Sequence, residues 1–288
     1  MAAIALGFAS AVMWGAADFL GGLKSRQLAL LTVLLGSQAA GLGVVLVAAA
    51  VRGEGPPGAD IVPFVILTGI AGTVGLAAFY RALSVGRMGV VAPISASAAA
   101  IPVAVGVIGG ERPSALQFAG VALAIAGVAI ASYEPEEEPP AERAVAGGSR
   151  FRTTTGAGLA LVAAVGFGLF FVGLDEASDR DLVWALVFGR VISMVILTLT
   201  ALVLRPSFAM TRADARDIAL VGLLDVGANA LFAAGTTLGL VSIVSVLGSL
   251  YPVTTIILAR IVLGERLHRA QRGGAAGALA GVALISAG

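Results

Sequence analysis

Gly109-Gly110-Glu111-Arg112 and Leu263-Gly264-Glu265-Arg266 stand 154 residues apart, and the register extends well beyond them. Gln117 falls on Gln271, Gly120 on Gly274, Ala124 on Ala278, Ala126-Gly127-Val128-Ala129 on Ala280-Gly281-Val282-Ala283, and Ser132 on Ser286. Chance does not hold a register over so many positions. The chain therefore reads as two copies of one unit, and its remaining segments are counted per copy.

What each copy contains follows from composition. With 58% hydrophobic and 12% charged residues and a mean hydropathy of +1.00, the chain lies outside the range of soluble domains, about one quarter of whose residues are charged. About 20 apolar residues cross the hydrocarbon core of a bilayer, and runs of that length fill the sequence. Breaks at charged, Pro and Gly positions delimit spans near 3–23, 28–51, 62–84, 89–109 and 114–133, then 155–174, 182–204, 216–238, 240–262 and 270–287. The expected fold is an all-α membrane protein of ten transmembrane helices. Residues 1–133 form one five-helix repeat, 134–153 a charged linker with Glu134-Pro135-Glu136-Glu137-Glu138-Pro139-Pro140, and 154–288 the second repeat. An odd number of spans per copy makes the second copy enter from the opposite side, so the repeats are expected to be inverted.

The first span lacks a basic leader, and its Gly15 and Phe19 match Gly166 and Phe170, so it reads as a retained helix rather than a secretory signal. Lys24, Arg26, Arg87, Arg143, Arg150, Arg152, Arg205, Arg212, Arg216, Arg266, Arg269 and Arg272 fall on one side, against Arg52, Arg112 and Arg180 on the other. The positive-inside rule makes the richer side cytoplasmic. The net charge of +1 offers no footing for nucleic acid, and the absence of cysteine with a single histidine, His268, argues against metal or redox chemistry. No nucleotide-binding Gly-x-x-x-x-Gly-Lys-Ser/Thr sequence is present, so any drive is expected from gradients and no cofactor is expected; with no nucleophile-base constellation or metal cluster in view, the chain is not read as an enzyme.

The Trp14-Gly15 turn with Phe19, the Phe79-Tyr80-Arg81-Ala82-Leu83 end of the third span, the doubled Gly-Glu-Arg and the Gly-rich helix closing each half together resemble the EamA family of the drug/metabolite transporter superfamily. The resemblance implies a central cavity between the halves and export or exchange of a small metabolite such as an amino acid, in the membrane of a bacterial cell. In that family a proline precedes the Gly-Glu signature. Pro252 fits it, whereas the equivalent position in the fourth span is Ala98, with Pro102 one turn on. The small multidrug transporters are a more distant likeness; the glutamate that binds their proton falls where this chain has Met13 and Trp14.

Candidate site residues are the polar groups that a bilayer penalises. Arg190 and Asp225 lie inside the seventh and eighth spans, where an uncompensated charge costs roughly 3 kcal/mol. Counted from opposite faces, at 1.5 Å per residue, they sit about 12 and 14 Å deep and are expected to pair or to flank one cavity. Asn229 lies one turn beyond Asp225. Asp18 shares a helix face with Trp14 and Ser10 and is the best acidic candidate for an amine or a proton. Ser242, Ser245, Ser249 and Pro252 form one polar face of the ninth span, which Ser95 and Ser97 match in the fourth at the positions of Ser249 and Tyr251. Tyr80, Phe167 and Tyr251 complete the candidate wall. An acid and a base together suit an amino acid or related zwitterion, while Trp14, Phe167 and Tyr251 suit a planar cation. The expected partners are therefore a small solute, the bilayer, and a proton or counter-solute, with the protein a monomer. Glu111 and Glu265 are expected to cap the helices that follow them or to pair with Arg112 and Arg266. The competing functions are cation efflux by proton antiport, and a membrane-embedded enzyme or lipid scramblase.

Overall fold

The computed structural model describes residues 1–85, 91, 94–131, 148–263 and 269–287. Gly264-Glu265-Arg266, His268, Arg87 and most of the expected linker lie outside them. Among the described residues regular structure is entirely helical: α1 (Ala2–Ser25), α2 (Leu30–Arg52), α3 (Val62–Val85), α4 (Ala100–Ile108), α5 (Ala115–Ala131), α6 (Gly148–Leu204), α7 (Arg212–Thr236), α8 (Val241–Gly248), α9 (Tyr251–Leu263) and α10 (Arg269–Ala287). Among the described residues five helical segments are long and apolar enough to cross a membrane: Ala2–Ser25, Leu30–Arg52, Ala59–Val85, Gly158–Leu204 and Arg212–Thr236. The remaining apolar helices are shorter. Large apolar side chains such as Val47, Val203, Leu204 and Ile261 stand exposed on the outer surface, an arrangement that suits lipid rather than water.

α6 begins ahead of the expected second repeat and is too long for one crossing. It reverses at Asp181, whose backbone is extended (φ −162°, ψ 109°). The Asp181 carboxylate accepts the backbone N–H of Trp184 at 3.0 Å, the geometry of a residue that caps a new helix. The two limbs, 148–180 and 182–204, pack against α3 in opposite directions, the first antiparallel and the second parallel to it. Thr68 faces Gly173 and Gly75 faces Gly166 on the first limb, whereas Thr68 faces Gly189 and Thr73 meets Ser193 on the second.

The expected fourth and ninth spans are interrupted. A 3-10 turn at Ser97–Ala99 precedes α4, and Ser249–Leu250 separates α8 from α9. Pro252 explains the second break. In the first turn of α9 its missing N–H removes no helical hydrogen bond, whereas inside one continuous helix it would. Direction survives the break: α1 meets α8 at Gly7 and α9 at Gly15, with numbers rising together.

Charges tie the ends of the bundle. At one end Lys24 bridges Asp214 (2.9 Å) and Asp217 (2.6 Å), and the Thr211–Asp214 capping box starts α7. At the other, Arg52 binds Asp181 at 2.7 Å, and the Arg180 guanidinium lies over the Phe64 ring and bonds Asp60. α5 and α10 pack antiparallel with almost no side chain between them. A Cβ on Gly127 would stand 2.7 Å from the Gly274 carbonyl oxygen, and one on Gly281 would stand 2.7 Å from that of Gly120. Small residues permit this approach where lipid supplies no hydrophobic drive between helices.

Glu111 does not act on the helix that follows it. Ser114 and Gln117 cap α5 by exchanging side-chain and backbone bonds. The Glu111 carboxylate instead reaches across to α8 and accepts the N–H groups of Val241 (2.6 Å) and Ser242 (3.2 Å). Exposed N–H groups at a helix start favour an anion there. Glu111→Ala is expected to lower unfolding stability in detergent by about 2 kcal/mol, with Glu111→Gln losing less; a silent alanine variant would remove this contact as a tie between the halves.

Candidate functional site

A cavity with about 740 Å³ of atom-free space opens between α1, α2, α3, α6, α7 and the start of α9. That figure includes the part of the space that is open to the outside. Its polar pole is built around Arg190, on the second limb of α6. The guanidinium donates to Gln38 Oε1 at 2.6 Å and to Asp225 Oδ2 at 2.5 Å, and it is almost completely buried. The pair expected from the depth of the two spans thus exists, with α2 supplying a third member. Glycine at 41 makes this possible, since a Cβ there would press to 3.1 Å from Arg190 Nη1.

The opposite wall is aromatic. Trp14 lies 5.4 Å from Phe171 and 5.6 Å from Phe232, and Phe171 stacks on Phe232 at 4.8 Å. Phe79 meets Phe167 and Tyr251 edge-on. The Trp14 indole N–H donates to Asn229 Oδ1 at 3.0 Å, which satisfies the one polar atom of a ring buried for its apolar area. Asp18, one turn from Trp14, also lines the cavity.

Seven of the expected residues therefore line one space: Trp14, Asp18, Phe167, Arg190, Asp225, Asn229 and Tyr251. Six do not. Tyr80 is buried with its hydroxyl against Gly21. Ser95, Ser245 and Ser249 are buried behind the wall, and their hydroxyls have no hydrogen-bond partner among the described residues. Pro252 is buried in the first turn of α9. Ser97 is exposed and returns its hydroxyl to the Ile94 carbonyl at 2.6 Å. The expectation for Ser97, which rested on its register with Tyr251, is corrected on physical grounds: Ser97 begins a 3-10 turn, whose three residues per turn aim side chains differently from the α-helical turn that holds Tyr251.

Gln38, Thr68 and Ser193 are wall residues that the sequence reading did not name. Gln38 carried a usable signal, an amide in the middle of an apolar span. Thr68 and Ser193 carried none, because threonine and serine in such helices commonly bond their own backbone, as Thr68 does to Phe64. Among the described residues no group of three or more His, Cys, Asp or Glu is placed to hold a metal ion.

Apolar helices around a cavity with charged and aromatic walls define a multi-pass integral membrane protein. The chain matches the EamA-like transporter family over residues 1–133 and again over 154–287, and it belongs to that family, within the drug/metabolite transporter superfamily. Among solved structures, one described only as the crystal structure of a protein superposes with a TM-score of 0.75 at 16% identity, over 98% of this chain and 95% of its own. That likeness concerns the fold alone. No curated protein matches the chain.

Proposed function

We propose that the protein is a secondary transporter, an exporter or exchanger of a small amine-bearing metabolite, an amino acid or related zwitterion or else an organic cation, working as a monomer without a nucleotide cofactor. Its ten spans form two inverted five-helix repeats that rock about the cavity. The observation that carries this reading is the cavity itself, to which both repeats contribute: Trp14, Asp18, Gln38 and Thr68 from the first, and Phe167, Arg190, Asp225 and Asn229 from the second.

Inversion is supported by α5 and α10. The close contacts Gly127–Gly274 and Gly281–Gly120 exchange with each other when 154 is added to or subtracted from each number. The two helices are equivalent in register and antiparallel in space, which is the signature of a two-fold axis lying in the membrane plane. The α1–α7 and α3–α6 packings support the same reading, since each pairs a helix of one repeat with a helix of the other. The bacterial inner membrane, with the Lys24–Asp214 end in the cytoplasm, is the location proposed from the loop charges.

The test is flux. Purified protein reconstituted in liposomes is expected to exchange labelled amino acids or amines across the bilayer, with saturation and with competition among solutes. Redistribution of labelled lipid between leaflets with no solute flux would sink the proposal in favour of a scramblase.

A further inference from the structure

Three charged side chains line the cavity among the described residues: Asp18, Arg190 and Asp225. Two of them cancel. Arg190 spends its guanidinium on Asp225 and Gln38. Asp18 has no hydrogen bond or ion pair with any described residue, and it stands on the face of α1 that carries Trp14. The chamber therefore holds one carboxylate without a counter-ion or donor among the described residues, in a wall of aromatic rings.

A zwitterion does not match that inventory. Its amine would meet Asp18, but its carboxylate would need a cation, and the one guanidinium in the wall is engaged. Recruiting it would leave Asp225 uncompensated at a depth where a lone charge is strongly penalised. A cation without a carboxylate meets no such conflict. Its charge is balanced by Asp18, and its apolar body lies on Trp14, Phe167, Phe170, Phe171 and Tyr251, whose ring faces attract positive charge.

We infer that the preferred occupant of this cavity is an organic monocation, a protonated amine on an apolar body of about one aromatic ring, bound through the carboxylate of Asp18. The inference rests on the transporter reading and narrows it: a carboxylate on the solute is a handicap, and Asp18 is the residue that selects.

Phenethylamine and phenylalanine test it, because they differ only by the carboxylate. Titrated into purified protein by calorimetry, phenethylamine is expected to bind at least about tenfold more tightly than phenylalanine, a gap of one decade in affinity. Asp18→Asn is expected to remove most of the amine's binding, Asp18→Glu to keep part of it, and thermal unfolding to show both variants folded. Equal or tighter binding of phenylalanine, amine binding unaffected by Asp18→Asn, or no binding of either probe overturns the inference. Liposome flux separates the two levels: phenylalanine flux that survives Asp18→Asn leaves the transporter reading standing and this inference fallen. Amine binding through Asp18 with no flux of any solute has the opposite meaning.

Discussion

Arg190→Ala is expected to destabilise the folded protein by about 3–5 kcal/mol and to abolish solute flux, because it strands one member of a buried pair rather than removing the pair. The guanidinium donates to Asp225 at 2.5 Å and to Gln38 at 2.6 Å. Alanine leaves a carboxylate and an amide oxygen facing an apolar interior with neither charge nor donor. Unfolding in detergent, followed by heat or denaturant, reads the loss. Arg190→Lys restores the charge but offers a point donor in place of a planar fork, so it is expected to recover only part of the stability. The decisive companion is the double variant Arg190→Met with Asp225→Leu. Replacing a buried pair by apolar residues of similar volume is often neutral or stabilising, so the double variant should be more stable than Arg190→Ala alone, yet remain inactive. An Arg190→Ala protein as stable as the parent would mean that water reaches the pair freely and solvates the stranded carboxylate.

That pair also marks where sequence reasoning reaches and where it stops. A helix is a ruler, so counting residues from the ends of two spans puts Arg190 and Asp225 at the same depth, and the structure joins them. Depth is legible; azimuth is not. α2 is apolar almost all round, so nothing in its pattern says that Gln38 points inward rather than toward a neighbouring helix. The ninth-span serines show the converse. Their spacing puts them on one face, but α8 is buried on every side, from Val241 to Gly248, so burial does not single that face out, and none of these serines lines the cavity. Ser97 matches Tyr251 in register, but it starts a 3-10 turn where Tyr251 starts an α-helix, so equal register does not give equal direction. Glu111 was legible as a loop-end acid, while its partners, the N–H groups of Val241 and Ser242, lie in the other half of the chain, where spacing has nothing to say.

The second large effect is expected at the doubled glycines. Gly127→Leu and Gly281→Leu should each destabilise the protein by about 3 kcal/mol, the upper part of the range for overpacking, because the atoms in the way are backbone and cannot turn aside. At Gly127 the new Cβ would stand 2.7 Å from the Gly274 carbonyl oxygen and from the Ala278 Cα; at Gly281 it would stand 2.7 Å from the Gly120 carbonyl oxygen and 2.6 Å from the Ala124 nitrogen. The two surroundings are the same set of positions shifted by the repeat, so the two losses should agree more closely than those of two unrelated interface glycines. Both substitutions push apart the same two helices, so the double variant should cost less than the sum. Thermal unfolding of the three proteins measures this directly. Unequal single effects, or strict additivity, would mean that α5 and α10 are not exchanged by a two-fold axis, and the inverted repeat would lose its best structural support. Equal effects with a sub-additive double tie the 154-residue register of the sequence to a symmetry of the folded protein, the symmetry on which a rocking exchange between two inverted halves depends.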